Sequence, residues 1–359
     1  MNLRDKRQEQ FANTWISTGR FGIIHVAPRV GKCRIAILIM QKEGYKNILI
    51  AYPDNKIRDS WKKELEIMDM EDVNITYTTY LSLHKHEKEE YDLVIADELH
   101  TLSENQIVAL QRCMRANKAI LGLSGTLSLA TERLLYRALN MAVVAYYPIE
   151  RAIKEGILPD YEIRVVKVPL DDVILQTYGK YKSTEKKKFD GLTRVIATIE
   201  GQGKDPKFMR FARMRIIQNS LSKLRKTKEL LNAFKEERIL VFCGLTAIAD
   251  KLGIASHHSK SNVREAFNAC VNVEGVNHLA VVRIGNTGVT YQKLNKVVIN
   301  YFDSNSANFT QKVNRCMTLE YDNPGKKAII YIVSSTEDVE EKWLKKALSF
   351  FSKEKIKYL

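Results

Sequence analysis

Apolar residues in this chain fall into short unbroken runs, separated by stretches in which they recur every three or four positions. The runs occupy 21–26, 47–52, 93–96, 119–123, 238–243, 275–282, 296–300 and 327–333. Each is too brief for an ordinary helix and carries few polar residues, which predicts strands buried on both faces of a parallel sheet. Between them the spacing is helical: from Arg4 to about Ile16, over 35–40, from Lys56 to Met68 and over 105–114. The tail from Glu337 is a further amphipathic helix, with Leu344 and Leu348 four apart beside Trp343. Residues 73–80 are rich in β-formers. Residues 162–168 alternate polar and apolar, which predicts an edge or half-exposed strand, and 327–333 is expected to close the last sheet. Strands alternating with helices predict an α/β protein with doubly wound parallel sheets.

Composition narrows the class. A chain of 359 residues, 45% of them hydrophobic, is long enough for two domains with packed cores. No apolar run approaches the length a bilayer requires, and Met1-Asn2-Leu3-Arg4-Asp5-Lys6 opens no signal peptide, so a soluble cytoplasmic protein is expected. The cysteines (Cys33, Cys113, Cys243, Cys270, Cys316) lack paired metal-ligand spacing, which argues against both a zinc site and a disulfide framework. The formal charge of +15 favours a polyanion, nucleic acid foremost, over an acidic protein partner. Much of that charge is local. Lysines crowd 180–188, and Phe208, Met209 and Phe211 interleave with Lys207, Arg210, Arg213 and Arg215. Aromatics among cations suit a nucleic-acid contact. The alternative is a helical insert with Phe208 and Phe211 turned inward.

Two places carry chemistry. The run Leu93-Val94-Ile95-Ala96 ends in Asp97-Glu98, where a parallel strand would emerge at the ligand-binding edge of its sheet. Those acids are open to two readings: a magnesium-holding, water-activating pair, or a solvated turn. The second place is Ala27-Pro28-Arg29-Val30-Gly31-Lys32-Cys33-Arg34, a turn between a strand and a helix. That is the context of a phosphate-binding loop, whose N–H groups and lysine cradle phosphates. The loop departs from the usual pattern: Val26 and Arg29 stand where glycines occur, and Cys33 replaces the hydroxyl that normally meets magnesium. A thiol is a poor ligand for a hard cation.

Taken in order, these elements resemble the motor core of superfamily 2 helicases of the DExH kind. Lys32 looks like motif I, Asp97-Glu98-Leu99-His100 like motif II, and Ser124-Gly125-Thr126 like motif III. Pro53-Asp54 followed by Trp61 is similar to motif Ia, and Thr79-Tyr80 to motif Ib. In the second half, 240–243 resembles motif IV, Asn286-Thr287-Gly288-Val289-Thr290 motif V, and Gln311-Lys312-Val313-Asn314-Arg315 motif VI, with Thr318 in place of a second arginine.

The resemblance implies two RecA-like domains, at 1–158 and 159–359, with a nucleotide cleft between them and a basic helical insert at about 171–235 in the second. It implies ATP and Mg2+ as cofactors. Lys32 would hold the terminal phosphates, Asp97 would bind the metal beside the doubtful ligand Cys33, Glu98 would orient the attacking water, and Arg315 would stabilise the transition state. Gln8 (or its rival Gln10), Arg29, Gly31, Arg34 and Gln311 would complete the nucleotide site. Pro53, Asp54, Thr79, Tyr80, Thr287 and Gly288 would grip nucleic acid, and Ser124, Gly125 and Thr126 would couple the two. The segment 147–161 is similar to the one joining the two motor domains in DNA helicases and translocases of this superfamily, and the compact form is similar to small phage-encoded helicases. This points to a monomer in a bacterial or phage-infected cell, acting on single-stranded or forked DNA, alone or with replication or recombination proteins. The rival is a nucleic-acid-binding module whose nucleotide site no longer turns over. An unrelated P-loop protein would leave the motifs of the second half unexplained.

Overall fold

The computed structural model describes residues 2–70, 72–179, 181–258, 275–282, 291–320, 323 and 325–359. Thr287 and Gly288 lie outside the described residues, as does Cys270. Within them the chain forms two compact units, Met1–Leu158 and Pro159–Leu359.

The first unit opens with helix α1 (Leu3–Ser17) and alternates thereafter: β1 (Phe21–Val26), α2 (Lys32–Glu43), β2 (Asn47–Tyr52), α3 (Lys56–Ile67) and β3 (Asn74–Thr79). Next come β4 (Leu93–Asp97), α4 (Glu104–Ala116), β5 (Ile120–Ser124), α5 (Leu129–Leu139), β6 (Val143–Tyr147) and α6 (Ile149–Lys154). The strands form one sheet in the order β3-β2-β4-β5-β1-β6, every pair parallel. Alternate residues of a strand enter opposite cores, as the pleat requires. Leu93 and Ile95 of β4 pack with Trp15 and Trp61 on one face; Val94 and Ala96 pack with Leu110, Cys113 and Leu135 on the other. This two-sided burial is why these strands read as unbroken apolar runs.

The second unit comprises β7 (Asp160–Val168), the hairpin β8 (Gln176–Tyr178) and β9 (Tyr181–Ser183), α7 (Glu185–Gly201), α8 (Lys207–Gln218) and α9 (Leu221–Ala233). It continues through β10 (Ile239–Phe242), α10 (Thr246–Lys251), β11 (Ala255–His257), β12 (His278–Val281) and β13 (Lys296–Ile299). It ends with α11 (Ser306–Val313), β14 (Lys327–Ser335), α12 (Asp338–Ala347) and β15 (Ile356–Tyr358). Its sheet is also all parallel, in the order β11-β12-β10-β13-β14-β7-β15.

Two expectations are corrected here. The alternating strand β7 is not an edge: it lies between β14 and β15, and β14 is internal as well. The polar positions that suggested exposure form an ion cluster across three strands. Glu162, only 5% exposed, accepts from Arg164 at 2.6 Å, Lys327 of β14 at 3.1 Å and Lys357 of β15 at 3.0 Å. Those cations, Arg164 foremost, hold its carboxyl down at about 2. The other correction concerns Phe208 and Phe211, which are 80% and 49% exposed rather than turned inward.

Candidate nucleotide site

Three adjacent strands, β4, β5 and β1, deliver Asp97-Glu98, Ser124-Gly125-Thr126 and the loop before Lys32 to one edge of the first sheet. Gly31, at φ +105°, closes that loop and starts α2 in a backbone region where a side chain is strained. A Cβ there would also come within 2.3 Å of the Gln8 amide nitrogen. That amide is buried and donates to the Val30 carbonyl at 2.7 Å, so Gln8 shapes the loop directly. Gln10 stays on the surface, accepting from Arg7. Arg29 takes φ +70° in the same turn. Arg34 projects along α2 to pair with Glu64 of α3 at 3.3 Å.

Lys32 Nζ donates to Glu98 Oε1 at 2.5 Å. Gly125 closes over this pair: a Cβ added to it would meet Pro28 at 3.0 Å and Lys32 Nζ at 3.4 Å. Asp97 is 3% exposed and hydrogen-bonded through each carboxylate oxygen and its carbonyl. Its Oδ2 accepts from Trp61 Nε1 at 3.0 Å, its Oδ1 from the Glu98 N–H at 2.9 Å, and its carbonyl from the Tyr80 hydroxyl at 2.6 Å. Glu98 itself sits at φ +52°, and its side chain meets the lysine. His100 joins the acidic turn to the end of β5. Its Nδ1 is 3.0 Å from Ser124 Oγ, and its Nε2 is 3.3 Å from Thr126 Oγ1. Nearby, His25 Nε2 accepts from the Leu127 N–H at 3.3 Å.

Electrostatics separate the two acids. Burial raises the Asp97 carboxyl, against the pull of Lys32. Burial would raise Glu98 too, but Lys32 and then His100 overcome it and hold the carboxyl below its ordinary value. Burial alone would lower the Lys32 ammonium; Glu98 and Asp97 raise it instead. The site is therefore a charged, largely dry cluster poised to exchange one ionic partner for another.

The donor set fits magnesium delivered with a nucleotide. Among the described residues no cluster of three acidic, histidine or cysteine side chains gathers to hold a metal alone. Magnesium commonly binds through one or two carboxylates, retained waters and substrate phosphates, and Asp97 and Glu98 can supply that share. Cys33 is a poor partner for such a cation: burial, then Asp97, push its thiol well above the usual range, and a thiol suits a hard cation less than oxygen does.

The expected nucleic-acid contacts divide. Pro53-Asp54 and Thr79 lie at the ends of the paired strands β2 and β3, on the same sheet edge as Asp97, where Tyr52 pairs with Thr79. Pro53 and Thr79 are half-buried and Asp54 is exposed. Tyr80 is 2% exposed and occupied by the Asp97 carbonyl, so its side chain braces the acidic turn and offers no face to a ligand. In the second unit, Gln311 is half-buried on α11 and Arg315 is buried just beyond it. Sequence reasoning missed Trp61, Tyr80 and His25 as supports of this site. Buried tryptophan and tyrosine require a partner for their N–H or O–H, and that requirement was the available signal.

An α/β protein of two parallel-sheet units with strand-end loops gathered at one edge has the RecA-like fold of helicase motor domains. No family model and no curated protein matches the sequence. Solved structures do match the fold. The chain is similar to the ATP-dependent Type ISP restriction-modification enzyme LlaBIII bound to DNA, with TM-score 0.64 and 12% identity over 100% of this chain and 31% of that one. It is similar to S. cerevisiae Dbp5 bound to RNA and ADP BeF3, with TM-score 0.62 and 11% identity over 99% of this chain and 89% of that one. The Pyrococcus furiosus Hef helicase domain gives TM-score 0.54 and 12% identity over 95% and 98%. The chain thus spans about a third of LlaBIII and nearly all of the Dbp5 and Hef chains. At these identities the likeness is one of fold.

Proposed function

We propose that this protein is an ATP-dependent nucleic-acid translocase or helicase of superfamily 2, with DNA as its preferred track. One observation carries the reading above all: Lys32 from the loop, Glu98 from the acidic turn and Gly125 from the end of β5 converge on one point. Motifs legible only as separate stretches of sequence become a single charged cluster, on a fold shared with helicase motor domains.

In this reading the 2.5 Å ion pair is a resting contact. When phosphates enter, Lys32 transfers its hydrogen bonds to them and frees Glu98 to orient or deprotonate the attacking water; losing the lysine removes the main cause of its lowered pKa and makes it a stronger base. Magnesium, when bound, neutralises developing phosphate charge. Asp97, held by Trp61 and its own backbone, presents its remaining oxygen lone pairs to the metal or its waters. His100 senses whether Glu98 is engaged and passes the change to Ser124 and Thr126. Pro53, Asp54, Thr79, Thr287 and Gly288 grip the strand by phosphate contacts, which position a track without reading bases. Gln8, Arg29, Gly31 and Gln311 complete the nucleotide site, and Arg315 supplies transition-state charge from the second unit.

The test is nucleic-acid-stimulated, magnesium-dependent ATP hydrolysis by the wild type, Lys32→Ala and Glu98→Gln. Loss of about a hundredfold or more in both variants is expected, with oligonucleotide binding retained. Wild-type protein that binds single strands and hydrolyses no ATP sinks this reading in favour of a binding module with an inert nucleotide site, which Cys33 and Thr318 would then explain.

A further inference from the structure

The cations and aromatics of the insert take no part in the described first-unit contacts of Lys32, Asp97 and Glu98, and they form a surface of their own in the second unit. Residues 179–219 contain eleven basic and four acidic side chains, and α8 itself carries Lys207, Arg210, Arg213 and Arg215 with no acid. Two of these are committed: Arg210 pairs with Glu200 and Asp205, and Arg213 donates to Thr193 while lying over the Phe189 ring. Lys207 and Arg215 are exposed with no partner among the described residues. Phe208, Phe211 and Arg215 are spaced three and four apart, so they share one face of α8. Phe208 and Phe211 are 80% and 49% exposed. That face forms the wall of a groove of about 870 Å³ in the second unit, with Leu192 of α7 and Leu245 before α10 among its lining and Lys188 at its side.

Solvent-facing phenylalanines beside unneutralised cations are costly to leave bare and suit a ligand with flat apolar faces on an anionic chain. We infer that this groove is a second nucleic-acid site, one that takes a single strand by stacking its bases on Phe208 and Phe211 while Arg215 meets its phosphates. A duplex fits less well, because its bases are already stacked on one another. An acidic peptide would satisfy the cations and leave the rings unused. The inference deepens the nucleic-acid half of the proposed function by adding a holding point within the second unit. There, grip depends on stacking and charge and needs no ATP.

The experiment measures binding of a fluorescein-labelled oligodeoxythymidine to the full chain by anisotropy, without nucleotide, across a range of salt. Phe208→Ala with Phe211→Ala is expected to weaken binding roughly tenfold or more. Arg215→Ala should make the dependence of log K on log salt shallower by about 0.7, the loss of one phosphate contact on a single strand. These side chains are exposed, so an unchanged thermal midpoint is the folding control. Affinity within twofold of wild type in the double variant overturns the inference. So does equal displacement of the strand by polyglutamate, which would make the surface a plain polyanion patch. The two readings separate cleanly. Tenfold weakening in a chain that hydrolyses no ATP keeps this site and removes the motor. Stimulated hydrolysis with unweakened binding does the reverse.

Discussion

At the scale of single residues, the site is shaped by side chains that must avoid the wrong charge. His25 sits in β1 with its Nε2 accepting from the Leu127 N–H, so its ring must be neutral at that nitrogen. Burial, then the charges of Lys32 and His100, lower its pKa from 6.5 to about 4. Because the folded value lies below the unfolded one, the unfolded chain takes up the proton first on acidification. The stability held by the neutral ring is complete above about pH 6.5 and is lost as pH falls toward about 4. The thermal midpoint is therefore expected to drop between pH 6.5 and 5, before ordinary carboxylates titrate. His25→Gln, which keeps a side-chain acceptor but cannot ionise, should flatten that slope. A slope as steep in the variant as in the wild type would place the titration elsewhere. The same scale explains what the sequence revealed of the site. Lys32, Asp97, Glu98 and Ser124–Thr126 each lie at a strand end or helix start, a position marked by local pattern. Trp61 and Tyr80 act on Asp97 from 36 and 17 residues away, and no local pattern marks that.

At the scale of elements, the second unit is fastened by a buried ion pair. Lys223 of α9 and Glu340 of α12 are both fully buried, with Nζ and Oε1 2.6 Å apart. Glu340 also accepts from the Ser335 N–H at the end of β14, at 2.7 Å. Asn300, just after β13, donates to Thr227 Oγ1 at 2.8 Å and to the Lys223 carbonyl at 3.3 Å. One polar knot thus ties two helices to two strand ends. Burial lowers the Lys223 pKa, with Glu340 opposing. Removing one partner strands the other charge in a dry core, so Lys223→Met should cost about 3–5 kcal/mol in denaturant unfolding. Adding Glu340→Met should recover much of that, because no buried charge is then left unpaired and only the Ser335 N–H loses its acceptor. A double variant no more stable than the single one would show that the Ser335 contact, not the ion pair, carries the fastening. The pairing spans 117 positions, beyond the reach of periodicity, whereas the elements it joins were legible because two-sided burial writes short apolar runs. Strand β7 was misplaced for a related reason. Its alternation reflects ion pairs across neighbouring strands and not a solvent face.

At the scale of the whole molecule, the question is whether two units sharing a RecA-like plan act as one enzyme. Lys32, Asp97 and Glu98, the groups proposed to hold phosphates and metal, all come from the first unit. Acceleration of phosphoryl transfer draws further on a cation that meets charge developing on the γ-phosphate, and in this chain Arg315 of the second unit is the candidate. Its usual companion is missing, since Thr318 occupies that place with a hydroxyl buried and unbonded among the described residues. A group that acts only in the transition state alters turnover and leaves ground-state binding alone. Arg315→Ala is therefore expected to lower kcat for strand-stimulated ATP hydrolysis by about a hundredfold or more while the dissociation constant for a non-hydrolysable ATP analogue changes less than about threefold. Thr318→Arg, which restores the absent companion, should raise kcat above that of the wild type. A kcat in Arg315→Ala within about threefold of wild type would mean that hydrolysis belongs to the first unit alone. The second unit would then contribute strand binding through its basic insert, and the coupling between nucleotide state and movement would have to run through Ser124, Thr126 and the strand ends of the first sheet.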